Sequence, residues 1–126
     1  MTQQILEYIR DTYGAEPEYL WRATPTNAAL RNNCTGKWFA ALIGNLPLSK
    51  LGVKTDKRAD VLNLKCDPMI SFTLVDNERI FAGYHMNKEH WISVRLDGCV
   101  PVDELKALVD MSYEIVDNKG KARGIG

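Results

Sequence analysis

The pattern of apolar residues along this 126-residue chain predicts an α+β fold: a two-layer sandwich of a mainly antiparallel sheet with helices packed on one face. Three observations lead there. Helical periodicity sits at the two ends of the chain, and strand-like texture fills most of what lies between. The strand-like runs follow one another through short turns, so neighbours must be mainly antiparallel. Two amphipathic helices at the ends each need an apolar surface to cover, and one face of one sheet supplies it. The other face is then at least partly open.

The first element is a helix with Thr2 as its cap; Ile5, Leu6, Ile9 and Tyr13 recur at helical spacing and Gly14 closes it. Glu16-Pro17 breaks the chain. Short strands follow as YLWRA, AALR and KWFAALIG, separated by the turn clusters TPTN and NNCTG. KWFAALIG is apolar at both parities, as expected of a central strand, so the pattern does not say whether Trp38 or Phe39 faces the core. Residues 45–60, NLPLSKLGVKTDKRAD, read as a long lysine-bearing loop, and loops of that length in small domains often carry function.

Strand VLNLKC comes next, then Asp67-Pro68, a strong helix start: the carboxylate accepts from orphan amides and proline at the first position gives up no needed donor. A short helix is predicted from Pro68 to about Val75. Asp76-Asn77-Glu78 turns the chain into RIFAG and then GYHMNKEHWISVRLDG. The last helix starts at Pro101, with Asp103 and Glu104 in its first turn and Leu105, Leu108, Val109, Ser112, Ile115 and Val116 on one face. The predicted stop is Asp117 to Gly120. The chain is thus one domain over residues 1–117 with a flexible tail over 118–126.

Composition excludes several classes. Hydrophobic and charged fractions of 45% and 25% are those of a soluble globule, and no apolar run approaches the ~20 residues of a membrane helix. The N-terminus has neither a basic leader nor an unbroken apolar stretch, so no signal peptide is expected. Cys34, Cys66 and Cys99 are odd in number and widely spaced, which suits reduced thiols and a cytoplasmic location rather than a disulfide frame. The net charge is zero but uneven: residues 21–66 hold eight basic against two acidic residues, a +6 band between acidic flanks. That band is either an anion-facing surface or loop lysines that keep the chain soluble.

In HWISVRLD, alternation puts His90, Ile92, Val94 and Leu96 on the core side, and Trp91, Ser93, Arg95 and Asp97 on the other. In VLNLKC, Leu62, Leu64 and Cys66 are core, leaving Val61, Asn63 and Lys65 outward. An open face with Trp91, Arg95 and Lys65, and with Trp38 or Arg22 as a further member, interleaves stacking planes with cations. That combination suits nucleic acid, bases on the rings and phosphates on the cations. The alternative is a tryptophan covered by a loop and cations that only solvate the face. No metal site is expected, because His85 and His90 fall on opposite sides of a strand and lack further ligands. No catalytic set is expected either; an enzyme would need His85, His90 and Cys66 to converge in a pocket.

The segments GKWFAAL, NLKCDP, GYHMNKEHWISV, LDG and VPVDELKALVDMSYEIV resemble the MmcQ/YjbR-like family of small bacterial proteins, over nearly the whole chain up to Val116. Residues 45–60 match only in a general LG-containing loop. The resemblance implies a double-wing, CyaY-like arrangement, and a DNA-binding label that rests on fold analogy, a weak warrant for function. It brings no catalytic residues and no cofactor. It adds Lys37, Lys88 and Asn87 to the polar positions of interest. The expected reading is a cytoplasmic, monomeric, non-enzymatic module with DNA as its partner and no membrane contact. In it Lys37, Lys65, Lys88 and Arg95 meet phosphates and Trp91 stacks. His85, Asn87 and His90 form either a structural polar frame or part of the site. A pI of about 6.7 weighs against strong DNA binding, for which values above ~9 are the guide. The alternative is a small-molecule or protein-partner module that uses the open face or the 45–60 loop.

Overall fold

A computed structural model describes the backbone of residues 1–125 and the side chains of residues 1–117. Its elements are α1 (Thr2–Tyr13), β1 (Ala28–Arg31), β2 (Trp38–Pro47), a 3-10 turn (Leu48–Leu51), β3 (Arg58–Lys65), α2 (Pro68–Leu74), β4 (Ile80–Ala82), β5 (Trp91–Arg95) and α3 (Val102–Ile125). The strands form a five-stranded sheet in the order β1-β2-β3-β5-β4, and every pairing is antiparallel. This is the expected α+β sandwich. α3 does not stop at Asp117 to Gly120 as the sequence predicts; its backbone continues as helix to Ile125, and the side chains beyond residue 117 lie outside those described.

One face of the sheet carries the main core. Ile5 and Ile9 of α1 and Leu105, Val109 and Val116 of α3 pack against Leu30, Phe39, Leu42, Leu62, Leu64, Ile92 and Val94, all buried. Near the α1–α3 seam the rings of Tyr13 and Tyr113 stack with centroids 3.9 Å apart. The hydroxyls of Tyr8 and Tyr13 both donate to Asp110 Oδ1, at 2.7 and 2.5 Å.

The structure settles the Trp38–Phe39 question through a bulge. Leu30 pairs with Ala40 but Arg31 pairs with Trp38, so Phe39 is an extra residue on β2. The bulge lets Phe39 and Ala40 both face the helices, and it turns Trp38 away. Phe39 would follow Ala40↔Leu64 opposite Lys65. Instead the buried Ser112 hydroxyl of α3 enters the ladder there. It donates to the Phe39 carbonyl and accepts from the Lys65 amide at 2.8 Å.

Three further expectations need correction. Thr2 is not the cap of α1: Met1 holds that position, and the Thr2 hydroxyl donates to Asp60 Oδ2 at 2.6 Å. YLWRA is not a strand. Only Glu18 bridges to Ala29, because β1 beside it is four residues long and offers no ladder further on. Residues 45–60 are not one loop. β2 continues to Pro47 and β3 begins at Arg58, with a second bulge near Asn45 (φ 52°) that shifts the register by one residue before the turn. In contrast, α2 starts as expected: Asp67 caps it by accepting from the Met69 amide at 2.9 Å.

Replacing Ser112 by alanine should strand a buried amide and a buried carbonyl at once, which costs about 2 kcal/mol. Chemical denaturation would read this, and an unchanged midpoint would remove Ser112 from the ladder. Asp76 gives a second expectation. Burial alone would raise its pKa, but the amides of Ile80, Arg79 and Glu78 and the Arg79 guanidinium hold it well below the usual carboxylate range. The native state therefore binds this proton less readily than the unfolded chain does. Its stabilisation is complete above the ordinary value of 3.8 and fades as pH falls below it. Acid titration of stability should be shallower in Asp76→Asn than in the parent; identical slopes would contradict this.

Candidate functional site

The face of the sheet opposite the helices is not open. A row of side chains crosses it along paired positions: Ala29, Ala41, Asn63, Ser93 and Phe81. All five are buried. The 83–90 connection between β4 and β5 folds back over one half of this row and is pinned by it. Asn63 Nδ2 donates to the Tyr84 carbonyl at 2.9 Å. The Tyr84 amide donates to Ser93 Oγ at 2.8 Å. Ser93 Oγ in turn donates to Asn63 Oδ1 at 2.5 Å. Gly83 allows the approach, since a Cβ there would lie 2.7 Å from Trp91 Cβ.

The 18–27 segment covers the opposite flank. Asn27 Oδ1 accepts from the Gly44 amide at 3.0 Å, and Thr26 lies so close to Gly44 that a Cβ there would sit 2.5 Å from its hydroxyl. Between the two flanks is a cleft of about 360 Å³, within the range of small-ligand sites. Trp21 and Trp38, edge to face with centroids 5.7 Å apart, wall one side. Tyr84 and His85, centroids 4.1 Å apart, and Met86 wall the other. Ala41, Ile43 and Asn63 are the floor. A second cavity of about 410 Å³ shares Thr24, Asn27, Ile43, Tyr84 and His85 with the first and adds Asn45 and Arg58.

The residues expected to form a nucleic-acid face are placed differently. Trp91 does point away from the helices, as alternation requires, but it is only 8% exposed. The covered reading holds: Gly83 abuts it and Lys65 Nζ lies 5.5 Å from its ring centroid. Asn63 is outward as read, lining the cleft side, and is buried beneath the same loop. His90 is exposed rather than core, because β5 begins at Trp91 and period-two alternation does not reach back to it. Lys65 pairs with Trp91 and Val61 with Arg95, so Lys65 and Arg95 stand at opposite ends of the sheet.

Arg95 is occupied internally, with two nitrogens on Asp97 Oδ2 (3.0 and 2.5 Å) and a third on the Glu78 carbonyl at 2.8 Å. Lys88 is exposed and donates to the Gly83 carbonyl at 3.1 Å. Lys37 is exposed in the turn before β2. Asn87 shapes its own turn, accepting from the amides of Glu89 and His90. Of the eight named residues, only His85 lines the cleft. Trp21 and Tyr84 were missed, and Trp38 was left undecided. Their one sequence signal is a spacing of aromatic residues on both sides of β2, which does not say that two loops converge.

His85, His90 and Cys66 do not form a pocket. Cys66 lies in the helix-side core, where burial and then the neighbouring Asp67 charge push its thiol up to about 11. His85 lines the cleft on the other face. Among the described residues no three His, Cys, Asp or Glu side chains come within reach of a common metal ion, and no helix is long and apolar enough to cross a membrane.

Replacing Ser93 by alanine should leave the Tyr84 amide and Asn63 Oδ1 short of a partner, costing about 2 kcal/mol. It should also accelerate hydrogen exchange at Tyr84. Native-like protection at that amide would show that the loop is held by something else.

Comparison with known proteins places the chain in a family and its fold among solved structures. The chain matches the YjbR family model over residues 10–115. It is 39% identical to YyaQ of Bacillus subtilis over 113 residues, 90% of this chain and 95% of YyaQ. Against YjbR of Escherichia coli K12 it is 33% identical over 63 residues, 49% of this chain and 53% of that protein. A crystal structure of a Pseudomonas syringae protein superposes with a TM-score of 0.86 at 35% identity, covering 92% of this chain and 98% of that one. A DUF419 domain from Deinococcus radiodurans shares the fold, with a TM-score of 0.71 at 23% identity over 95% and 80% of the two chains. The chain belongs to the YjbR family.

Proposed function

We propose that this chain is a non-catalytic, cytoplasmic, monomeric binding module, and that its site is the cleft between the 18–27 and 83–90 segments, built for a small molecule. The carrying observation is that the cleft is walled by four aromatic side chains over an alanine-bearing floor. Concave, mostly apolar sites with a few placed polar groups are where small ligands bury most of their surface. A location in the cytoplasm is supported by three cysteines that are all free thiols.

DNA as partner retains one observation in its favour. Lys37, Lys65 and Lys88 all belong to the end of the sheet where β3 finishes and β5 starts. It loses Trp91 as a stacking plane and Arg95 as a free cation. A phosphate-led mode would therefore rest on three lysines at one rim.

A metabolite library screened by thermal shift should produce a ligand that raises the melting temperature. At a hundredfold excess over Kd the gain is about 2.7 kcal/mol, on the order of 8 °C for a domain of this size. Trp38→Ala should abolish that shift. In parallel, duplex DNA binding is measured at 50 and 200 mM salt. Salt-sensitive duplex affinity that survives Trp38→Ala and is lost when Lys37, Lys65 and Lys88 become glutamine would replace the cleft reading with the DNA one.

A further inference from the structure

Resting on the cleft as the binding site, we propose its ligand class: a small planar aromatic acid, ring in the aromatic-walled cavity and anionic group on Arg58. The two cavities share five lining residues and so form one elongated site of two characters. The first is mostly apolar. Its Trp21 and Trp38 planes stand 90° apart, a corner that offers a flat ring both a face and an edge. Its floor carries Ala41 on β2, where a larger side chain would take up the space.

The second cavity supplies the charge. Arg58 is the one formal charge in either lining, and neither lining contains a carboxylate. Its Nε donates to the Asn45 carbonyl at 3.2 Å. Both terminal nitrogens are without a partner among the described residues, which leaves a guanidinium fork oriented by one bond and available to a carboxylate or phosphate. The carbonyl that orients it belongs to Asn45, in the left-handed region with φ 52°, and His85 across the cleft has φ 57°. Non-glycine residues in that region cluster at functional sites, and two of the three among the described residues border this cavity pair. The His85 ring touches Tyr84 and makes no hydrogen bond within the described residues, so its nitrogens are available to a ligand's polar substituent.

The test uses 2-naphthoate, its neutral isostere 2-naphthamide, and acetate. Binding is read from the three indole N–H signals in proton–nitrogen correlation spectra. Naphthoate should shift Trp21 and Trp38 but not Trp91, with an affinity about five-fold or more above naphthamide, and acetate should shift none. Arg58→Gln should bring naphthoate down to the naphthamide level and leave naphthamide unchanged. Should that variant unfold, raising salt from 50 to 500 mM on the parent protein should weaken naphthoate alone. Equal affinities, or a preference indifferent to Arg58 and to salt, would overturn the acid specificity and leave the cleft standing. Naphthalene compounds that move neither Trp21 nor Trp38 would overturn the ligand class. If no compound of the metabolite screen moves them either, the cleft reading fails with it.

Discussion

The site depends on one small hydrogen-bonded ring buried beneath the 83–90 loop. Asn63 on β3, Ser93 on β5 and the backbone of Tyr84 close a ring of three bonds: amide to carbonyl, peptide N–H to hydroxyl, hydroxyl to amide oxygen. A buried polar group left without a partner costs as much as a lost hydrogen bond or more, so such a ring is an all-or-nothing device. It converts a loop that water would otherwise hold open into a lid on the sheet. Trp91 is buried, Tyr84 and His85 face Trp21 and Trp38, and a cleft exists, because the loop is tied at that point.

The helical side is joined to the same strands by an equally economical contact. The bulge at Phe39 frees a carbonyl that the β2–β3 ladder would have used, and Ser112 inserts a single hydroxyl that serves both strands. The bulge also sends Phe39 to the helices and Trp38 to the cleft. One extra residue in β2 thus supplies a core ring on one face and a wall of the binding site on the other.

Charge acts differently from what a count along the chain suggests. The +6 band of residues 21–66 does not become one positive wall, because antiparallel pairing separates Lys65 from Arg95 by the length of β5 and an internal carboxylate takes up Arg95. The cation that meets a cavity is Arg58, at the start of β3, in a stretch whose pattern reads as loop. Its value lies in what surrounds it: a backbone carbonyl on one nitrogen and no carboxylate in the lining.

By itself the sequence determined the fold class, the helix starts at Asp67 and Pro101, the alternation of β5, and the family, since each follows from local periodicity, capping chemistry or contiguous motifs. It also placed Trp91 on the correct side of the sheet. It could not say that this side is covered, because period-two alternation separates two faces without stating what lies on either. That outcome rests on Asn63, Ser93 and Tyr84 meeting across strands and a loop up to thirty residues apart. The cleft is of the same kind: Trp21, Trp38, Tyr84 and Arg58 sit on four separate segments, and only folding the chain brings them to one place.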